Sequence, residues 1–166
     1  DGENALILAH LTNGLIYNEL AESWLRVFKK SEVPVVISLD PLTSVNFQNV
    51  YPKVQNEVRL LSMAQSAVIF DNLYGAVSLV RNKAELDSTT RMKKVSVILP
   101  TKIFAESTLT SPSVILNTKE LALLLAKAIK ATRLIFIGDP VVKDSQGFDS
   151  EILQVDYLAA KEWMKF

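Results

Sequence analysis

Short apolar runs alternate with helical patterns along the chain. Each run has the length of a β-strand and is apolar almost throughout, and turn-forming residues such as Gly, Pro, Asp and Asn follow most of them. The predicted strands are 5–11, 33–39, 95–99, 113–116 and 134–137, with 67–70 as a shorter candidate. Apolar strands separated by helices are typical of a parallel sheet covered on both faces. We therefore predict an α/β fold, a three-layer α/β/α sandwich with a mainly parallel sheet.

Three helices are predicted from apolar side chains that recur every three or four residues. The sets that share a face are Leu20, Trp24 and Phe28; Val54, Val58 and Leu61; and Ile152, Leu153, Tyr157, Ala160 and Met164. Pro52 suits the first turn of the second of these helices. The stretch 72–91 carries a glycine and scattered apolar residues, and its pattern is compatible with either an irregular helix or a hairpin.

A fourth predicted helix has the clearest start. Asn117 suits its N-cap, and Glu120, three residues later, can reach back to complete a capping box. The helix covers 118–131 and is apolar on nearly every side, which predicts burial on more than one face. Such a helix lies either in the core of the sandwich or at an interface with a partner, because its composition is the same in both cases.

Composition and charge narrow the classes of function. The 166 residues suffice for a single domain, 1–166, and the start at Asp1 is typical of a processed chain or of a fragment of a longer protein. Eighteen basic and eighteen acidic side chains cancel, so no global field attracts nucleic acid. No apolar run is long enough to span a membrane, and the first residues carry no signal-peptide pattern. We predict an intracellular protein without membrane insertion.

Few side chains can carry chemistry. The chain has no cysteine and one histidine, which excludes disulfides, cysteine ligands and the paired histidines of HExxH motifs. A Ser-His-Asp triad would have to use His10, but no G-x-S-x-G elbow supplies its nucleophile. We expect His10 to be a strand residue with a structural hydrogen bond. The glycines never cluster into a phosphate loop, and we predict no catalytic residue, no metal and no cofactor.

Polar residues at strand ends form the candidate ligand site, because open α/β sheets bind ligands at the carboxyl ends of their strands. Five such residues are Thr12, Asn13, Asp40, Asn117 and Asp139. Backbone amides near Thr12 could hold an anion, and the carboxylates could hold a cation or a ribose. The alternative is local: the start of a helix at Thr12 and Asn13, and turns at Asp40 and Asp139.

Two runs in the second half carry a family resemblance, VILNTKELALLLAKAIKATRLIFIGDP and the following KDSQGFDSEILQVDYLAAKEW. Over 94–163 the chain resembles the carboxy-terminal part of the amino acid kinase family, which includes acetylglutamate, aspartate and uridylate kinases. The resemblance implies that Asn117 lies near the phosphoacceptor and that Gly138 and Asp139 lie at the nucleotide end. Lys119 stands where that family usually has Asp, Gly138 replaces its Thr, and its glycine loops have no counterpart. The resemblance therefore implies a degenerate or truncated member without phosphotransfer machinery.

Two functions of different classes follow. The first is a non-catalytic subunit or regulatory domain of a protein assembly, because hydrophobic residues reach 49% and functional polar clusters are few. Its partner is another protein or a copy of the same chain. The alternative is a small-molecule or nucleotide-binding domain, up to a kinase-like phosphotransferase. Basic residues are dispersed, and the closest group, Arg91, Lys93 and Lys94, predicts a solvated edge rather than a nucleic-acid site.

Overall fold

The computed structural model describes residues 5–12, 19–42, 49–75, 77–107, 114–142 and 148–156, with the backbone alone from residue 139 onward. Within these ranges the chain forms six strands and five helices. The strands are β1 (Ile7–Leu11), β2 (Val35–Leu39), β3 (Ser78–Val80), β4 (Ser96–Ile98), β5 (Arg133–Val142) and β6 (Phe148–Asp156). The helices are α1 (Glu19–Lys29), α2 (Pro52–Tyr74), α3 (Lys83–Arg91), α4 (Pro100–Glu106) and α5 (Thr118–Ala128).

The strands form one sheet in the order β3-β4-β2-β1-β5-β6. The first five strands of that order run parallel, and β6 runs antiparallel to β5 at the edge. In the centre, Leu11 is paired with Leu39 of β2 and with Ile137 of β5. The predicted α/β class with a mainly parallel sheet is confirmed.

Helices cover both faces of the sheet because successive strand residues point to opposite sides. Leu8, Val36 and Leu134 pack with the apolar side chains of α3, α4 and α5. Their neighbours Ala9 and Ile37 pack on the other face with α1 and α2. These two cores give the three layers of the sandwich.

Helix α2 belongs to two packing groups. In its second half, Ala67 and Phe70 are fully buried in the core that it shares with α1. In its first half, Leu60 and Met63 form a smaller core with Leu116 and two leucines of α5, Leu121 and Leu124. The helix therefore ties the sheet to the start of α5.

Helices α3 and α5 end in the same way. Lys130 follows α5 in the left-handed region with φ of 58°, and Lys93 follows α3 with φ of 53°. At both ends the next residue donates its amide back across the last turn, Ala131 to Ala126 and Lys94 to Thr89. This is the Schellman motif, with lysine where glycine is usual. No helix in the described ranges is both long enough and apolar enough to cross a membrane.

Two predicted strands are wrong. Residues 67–70 lie inside α2, where Ala67 and Phe70 face the core at helical spacing while Val68 points outward. Residues 114–116 form no strand: Ile115 is exposed, and the buried Leu116 gives its amide to the side chain of Asn56 instead of to a neighbouring strand. Short apolar runs fit a helix or a buried loop as well as a strand.

The end of the chain also differs from its prediction. The run 148–156 is a strand and not the first half of a helix, because backbone pairing sets Ile152 against Ile137. Strand β5 does not stop at Gly138 but continues through Pro140, where the register shifts. Proline is tolerated there because β1 pairs with β5 only as far as Ile137. The residues Tyr157, Ala160 and Met164 of the predicted helix lie outside the described residues.

Candidate functional site

The carboxyl ends of β1, β2 and β5 meet at one edge of the sheet. Thr12 and Asp40 follow the paired residues Leu11 and Leu39 directly. The amide of Thr12 donates to the carbonyl of Ile137 at 3.2 Å, and that of Asp40 donates to Leu11 at 3.2 Å. Two of the predicted site residues, Thr12 and Asp40, therefore lie side by side at the edge where parallel sheets bind ligands.

The histidine of β1 connects this edge to the interior of the sheet. Nδ1 of His10 lies 2.7 Å from Oγ of Ser38, and Nε2 lies 2.6 Å from Oδ1 of Asp40. His10 and Ser38 are 2% and 1% exposed, whereas the Asp40 side chain is 24% exposed. His10 is thus a hydrogen-bonded strand residue as expected, and Asp40 is the member of the group that reaches solvent.

The partners of His10 assign its protons. A carboxylate can only accept, so the Nε2 facing Asp40 carries hydrogen. In the neutral ring Nδ1 is then an acceptor, and the hydroxyl of Ser38 donates to it. Asp40 thereby fixes one tautomer of the ring, and the imidazole holds the carboxylate in one orientation.

Ser38, His10 and Asp40 have the residue types of a catalytic triad but not its accessibility. A nucleophile must reach the substrate, and Ser38 is closed off in the middle of a buried strand. What the group can offer to a ligand is the carboxylate of Asp40, suited to a hydroxyl, an amine or a cation. Sequence reasoning missed Ser38. Ser38 is the one polar side chain of β2, and His10 is the one polar side chain of β1. Two polar residues in otherwise apolar strands indicate a hydrogen-bonded pair, and this signal could have identified Ser38.

Asn117 serves the start of α5. Its side chain accepts from the amide of Glu120 at 2.8 Å, and Glu120 accepts from the amide of Asn117 at 3.1 Å. The predicted capping box is confirmed. The side-chain carbonyl of Asn117 is therefore already hydrogen-bonded at the start of the helix. Nearby, Nζ of Lys119 lies 5.8 Å from the ring centre of Phe136, whose ring centre is 6.0 Å from that of His10. The first turn of α5 therefore lies on the same side of the sheet as His10.

The remaining predicted site residues are only partly described. Asn13 lies outside the described residues, and of Asp139 the backbone alone is described, as part of β5. Within the described ranges, no group of three or more His, Asp and Glu side chains is arranged to hold a metal ion.

A cleft of about 430 Å³ opens at the opposite edge of the sheet, at the amino ends of β3 and β4. Lys29, Lys93 and Lys94 line it. Lys29 lies in the last turn of α1, and the other two follow the end of α3. Cations at these places offset the negative ends of helix dipoles. The predicted solvated edge at Lys93 and Lys94 is one wall of this cleft.

The outer surface of α2 is the second candidate for a functional site. Val54, Leu61 and Val68 are 43%, 56% and 50% exposed and recur every seventh residue; we call them the α2 stripe. The opposite, inward face of the helix buries four polar side chains, Gln55, Asn56, Ser62 and Ser66. The inward face thus mixes these polar side chains with apolar ones, Leu60, Met63, Ala67 and Phe70, while the apolar stripe faces outward.

Hydrogen bonds fix this orientation of α2. Asn56 donates to the carbonyl of Val114 and accepts from the amide of Leu116, both at 2.9 Å. Gln55 donates to the carbonyl of Val50 at 2.9 Å, and Ser66 donates to the backbone carbonyl of Asp40 at 2.6 Å. Turning the helix to bury the α2 stripe would leave these groups without partners, which is costly. The exposure of the stripe is therefore built into the fold.

Comparison with known proteins assigns the chain to no family. No protein-family model matches the chain, and no curated protein matches it.

Proposed function

We propose that this chain is a non-catalytic, intracellular subunit or interaction domain of a protein assembly, and that the α2 stripe makes its contacts. The observation that carries the proposal is the orientation of α2, which exposes Val54, Leu61 and Val68 and buries polar side chains. Single exposed apolar residues are common on protein surfaces. Three on one line of a helix that is hydrogen-bonded in this orientation support contact with a partner.

Light scattering at increasing concentration tests the proposal. We expect a mass that rises above the 18.5 kDa of one chain, and we expect Leu61→Glu to move that rise to at least tenfold higher concentration. Val27→Glu is the matched control, because Val27 lies on α1 and is as exposed as Leu61, 56% in both cases. A chain that stays monomeric at every concentration, or a Val27 variant as disruptive as the Leu61 variant, would overturn the proposal.

A second function is favoured by the group at the carboxyl edge of the sheet. Asp40 is held by the buried His10 beside Thr12, at the place where α/β domains bind small molecules. A small-molecule or nucleotide-binding domain is therefore the alternative, and a kinase-like phosphotransferase is its most specific form. That form rests on the resemblance of 94–163 to amino acid kinases.

Thermal-shift titration with nucleotides and amino acids tests this alternative. A ligand of the predicted site should raise the unfolding temperature of the wild type, and Asp40→Asn should weaken its binding at least tenfold. Asp87→Asn, an exposed carboxylate on α3, is the control and should bind as the wild type does. Equal binding by both variants would remove Asp40 from the site.

A further inference from the structure

Resting on the proposed function, we infer that the partner of the α2 stripe is the same stripe of a second copy of this chain. The two helices pack antiparallel, and the two-fold axis passes beside Leu61. The proposal names both the partner and the geometry of the contact.

The spacing of the stripe suits a two-fold axis. Val54 and Val68 lie seven residues before and after Leu61, which is about 10 Å along the helix in each direction. A two-fold contact must be self-complementary, because the same patch supplies both sides. In an antiparallel pair centred on Leu61, Val54 meets the partner's Val68, and Leu61 meets the partner's Leu61. Each apolar side chain of the stripe then has an apolar counterpart.

The charges of α2 favour the antiparallel direction. Lys53 and Asp71 lie near opposite ends of the helix and on the same side of the stripe, as helical spacing requires. In the antiparallel pair Lys53 comes opposite the partner's Asp71, and this contact occurs twice. In a parallel pair the two-fold axis runs along the helices, so the flank that carries Lys53 and Asp71 lies on opposite sides of the contact in the two copies and this pairing does not form. Opposite charges at the rim select direction more than they add affinity.

The size of the surface predicts a reversible dimer. α2 has 23 residues and is therefore about 34 Å long, but a single helix face is a small contact beside the roughly 800 Å² per partner of a standard interface. We therefore expect monomer and dimer to exchange with concentration.

Cysteine cross-linking tests the geometry on a clean background, because the chain has no cysteine of its own. A disulfide needs Cα atoms within about 7 Å, so it reports close approach. Leu61→Cys alone should form a cross-linked dimer under mild oxidation. A mixture of Val54→Cys and Val68→Cys should give the mixed dimer in several-fold excess over either self-dimer. Lys102→Cys, exposed on α4, is the control and should stay monomeric.

A charge exchange gives an independent measurement. Lys53→Asp and Asp71→Lys should each weaken dimerisation several-fold, and the double variant should restore it to within about twofold, as expected for opposite charges that meet across the rim. Self-dimers of Val54→Cys in excess over the mixed dimer, or failure of the double variant to restore dimerisation, would overturn the antiparallel pair. Light scattering separates the two proposals. A Leu61-dependent oligomer without these cross-links refutes the geometry alone, whereas a monomer at every concentration refutes the proposed function as well.

Discussion

Nε2 of His10 lies 2.6 Å from Oδ1 of Asp40, so a carboxylate at the carboxyl edge of the sheet is held by a side chain buried within the sheet. The other ring nitrogen is bonded to Ser38. Three polar side chains thus satisfy one another across two neighbouring strands, and burial of the imidazole costs little as long as all three are present.

Removing the ring should be much more costly than removing the hydroxyl. His10→Ala deletes a buried side chain together with both of its hydrogen bonds, and we expect a loss of about 3 kcal/mol of unfolding free energy. Ser38→Ala removes one hydrogen bond and should cost about 1 kcal/mol. Urea unfolding of both variants measures the difference, and equal losses would show that the ring contributes no more than one hydrogen bond.

The link between Asn56 and residues 114–116 should carry much of the stability at the start of α5. Asn56→Ala leaves the buried amide of Leu116 without its acceptor, and we expect it to cost about 2 kcal/mol. Gln65→Ala, on the exposed face of the same helix, should change stability by less than about 0.5 kcal/mol. If chemical denaturation gives the two variants similar midpoints, the buried face of α2 is not held by Asn56.

The capping box of α5 allows a double-mutant cycle. Asn117→Ala should cost about 1 kcal/mol, because the amide of Glu120 loses its acceptor. Glu120→Ala should cost less, and the double variant should cost less than the sum, since both bonds belong to one motif. Lys127→Ala, near the other end of the helix, is the control. Additive losses at Asn117 and Glu120 would argue against a reciprocal pair.

Backbone conformation at two helix ends predicts that substitutions there change the free energy of unfolding in opposite directions. Lys130 adopts a left-handed conformation that favours glycine, so Lys130→Gly should stabilise the protein by about 0.5 kcal/mol. Gly75 has φ of 48°, and no atom lies within 4 Å of the position that a Cβ would take. Gly75→Ala should therefore cost about 1 kcal/mol through the backbone alone. Thermal unfolding of the two variants checks the signs.

Tyr74 predicts a dependence of stability on alkaline pH. Burial, and secondly the negative charge of Glu22, raise the pKa of Tyr74 above its usual value of 10.0. As the pH rises through that value, the unfolded chain loses the phenolic proton before the folded chain does, so the free energy of unfolding falls. Tyr74→Phe should reduce this fall between pH 9 and about 11. Tyr51→Phe, at a side chain that is 81% exposed, is the control, and identical slopes for both variants would contradict the assignment.

The parts of the fold that could be predicted are those in which local pattern and final environment agree. The runs around Ala9, Ile37 and Val97 are apolar because both faces of their strands are covered. Asn117 and Glu120 are three residues apart, so their capping box needs no information from elsewhere. Thr12 and Asp40 could be placed at one edge because parallel strands end together.

The features that could not be predicted depend on contacts between residues that are distant in the chain. Ile152 has a helical neighbourhood in the sequence, and pairing with β5 overrides it. The orientation of α2 is set by Asn56 and its bonds to backbone groups 58 and 60 residues later. No periodicity within α2 could show that Val54 and Val68 face outward. Ser38 was missed for the same reason, since its partner His10 lies 28 residues earlier.

The central position of β1 has a consequence for how the chain folds. Its second neighbour in the sheet is β5, and the amide of Leu6 is bonded to Thr132, 126 residues further along. Contacts of such separation raise the contact order and slow folding, because a long loop must close before they form. During synthesis, which proceeds from the amino end, the β5 side of β1 stays open until residue 137 has left the ribosome. Until then the nascent chain presents an unpaired strand edge, the kind of surface that chaperones protect.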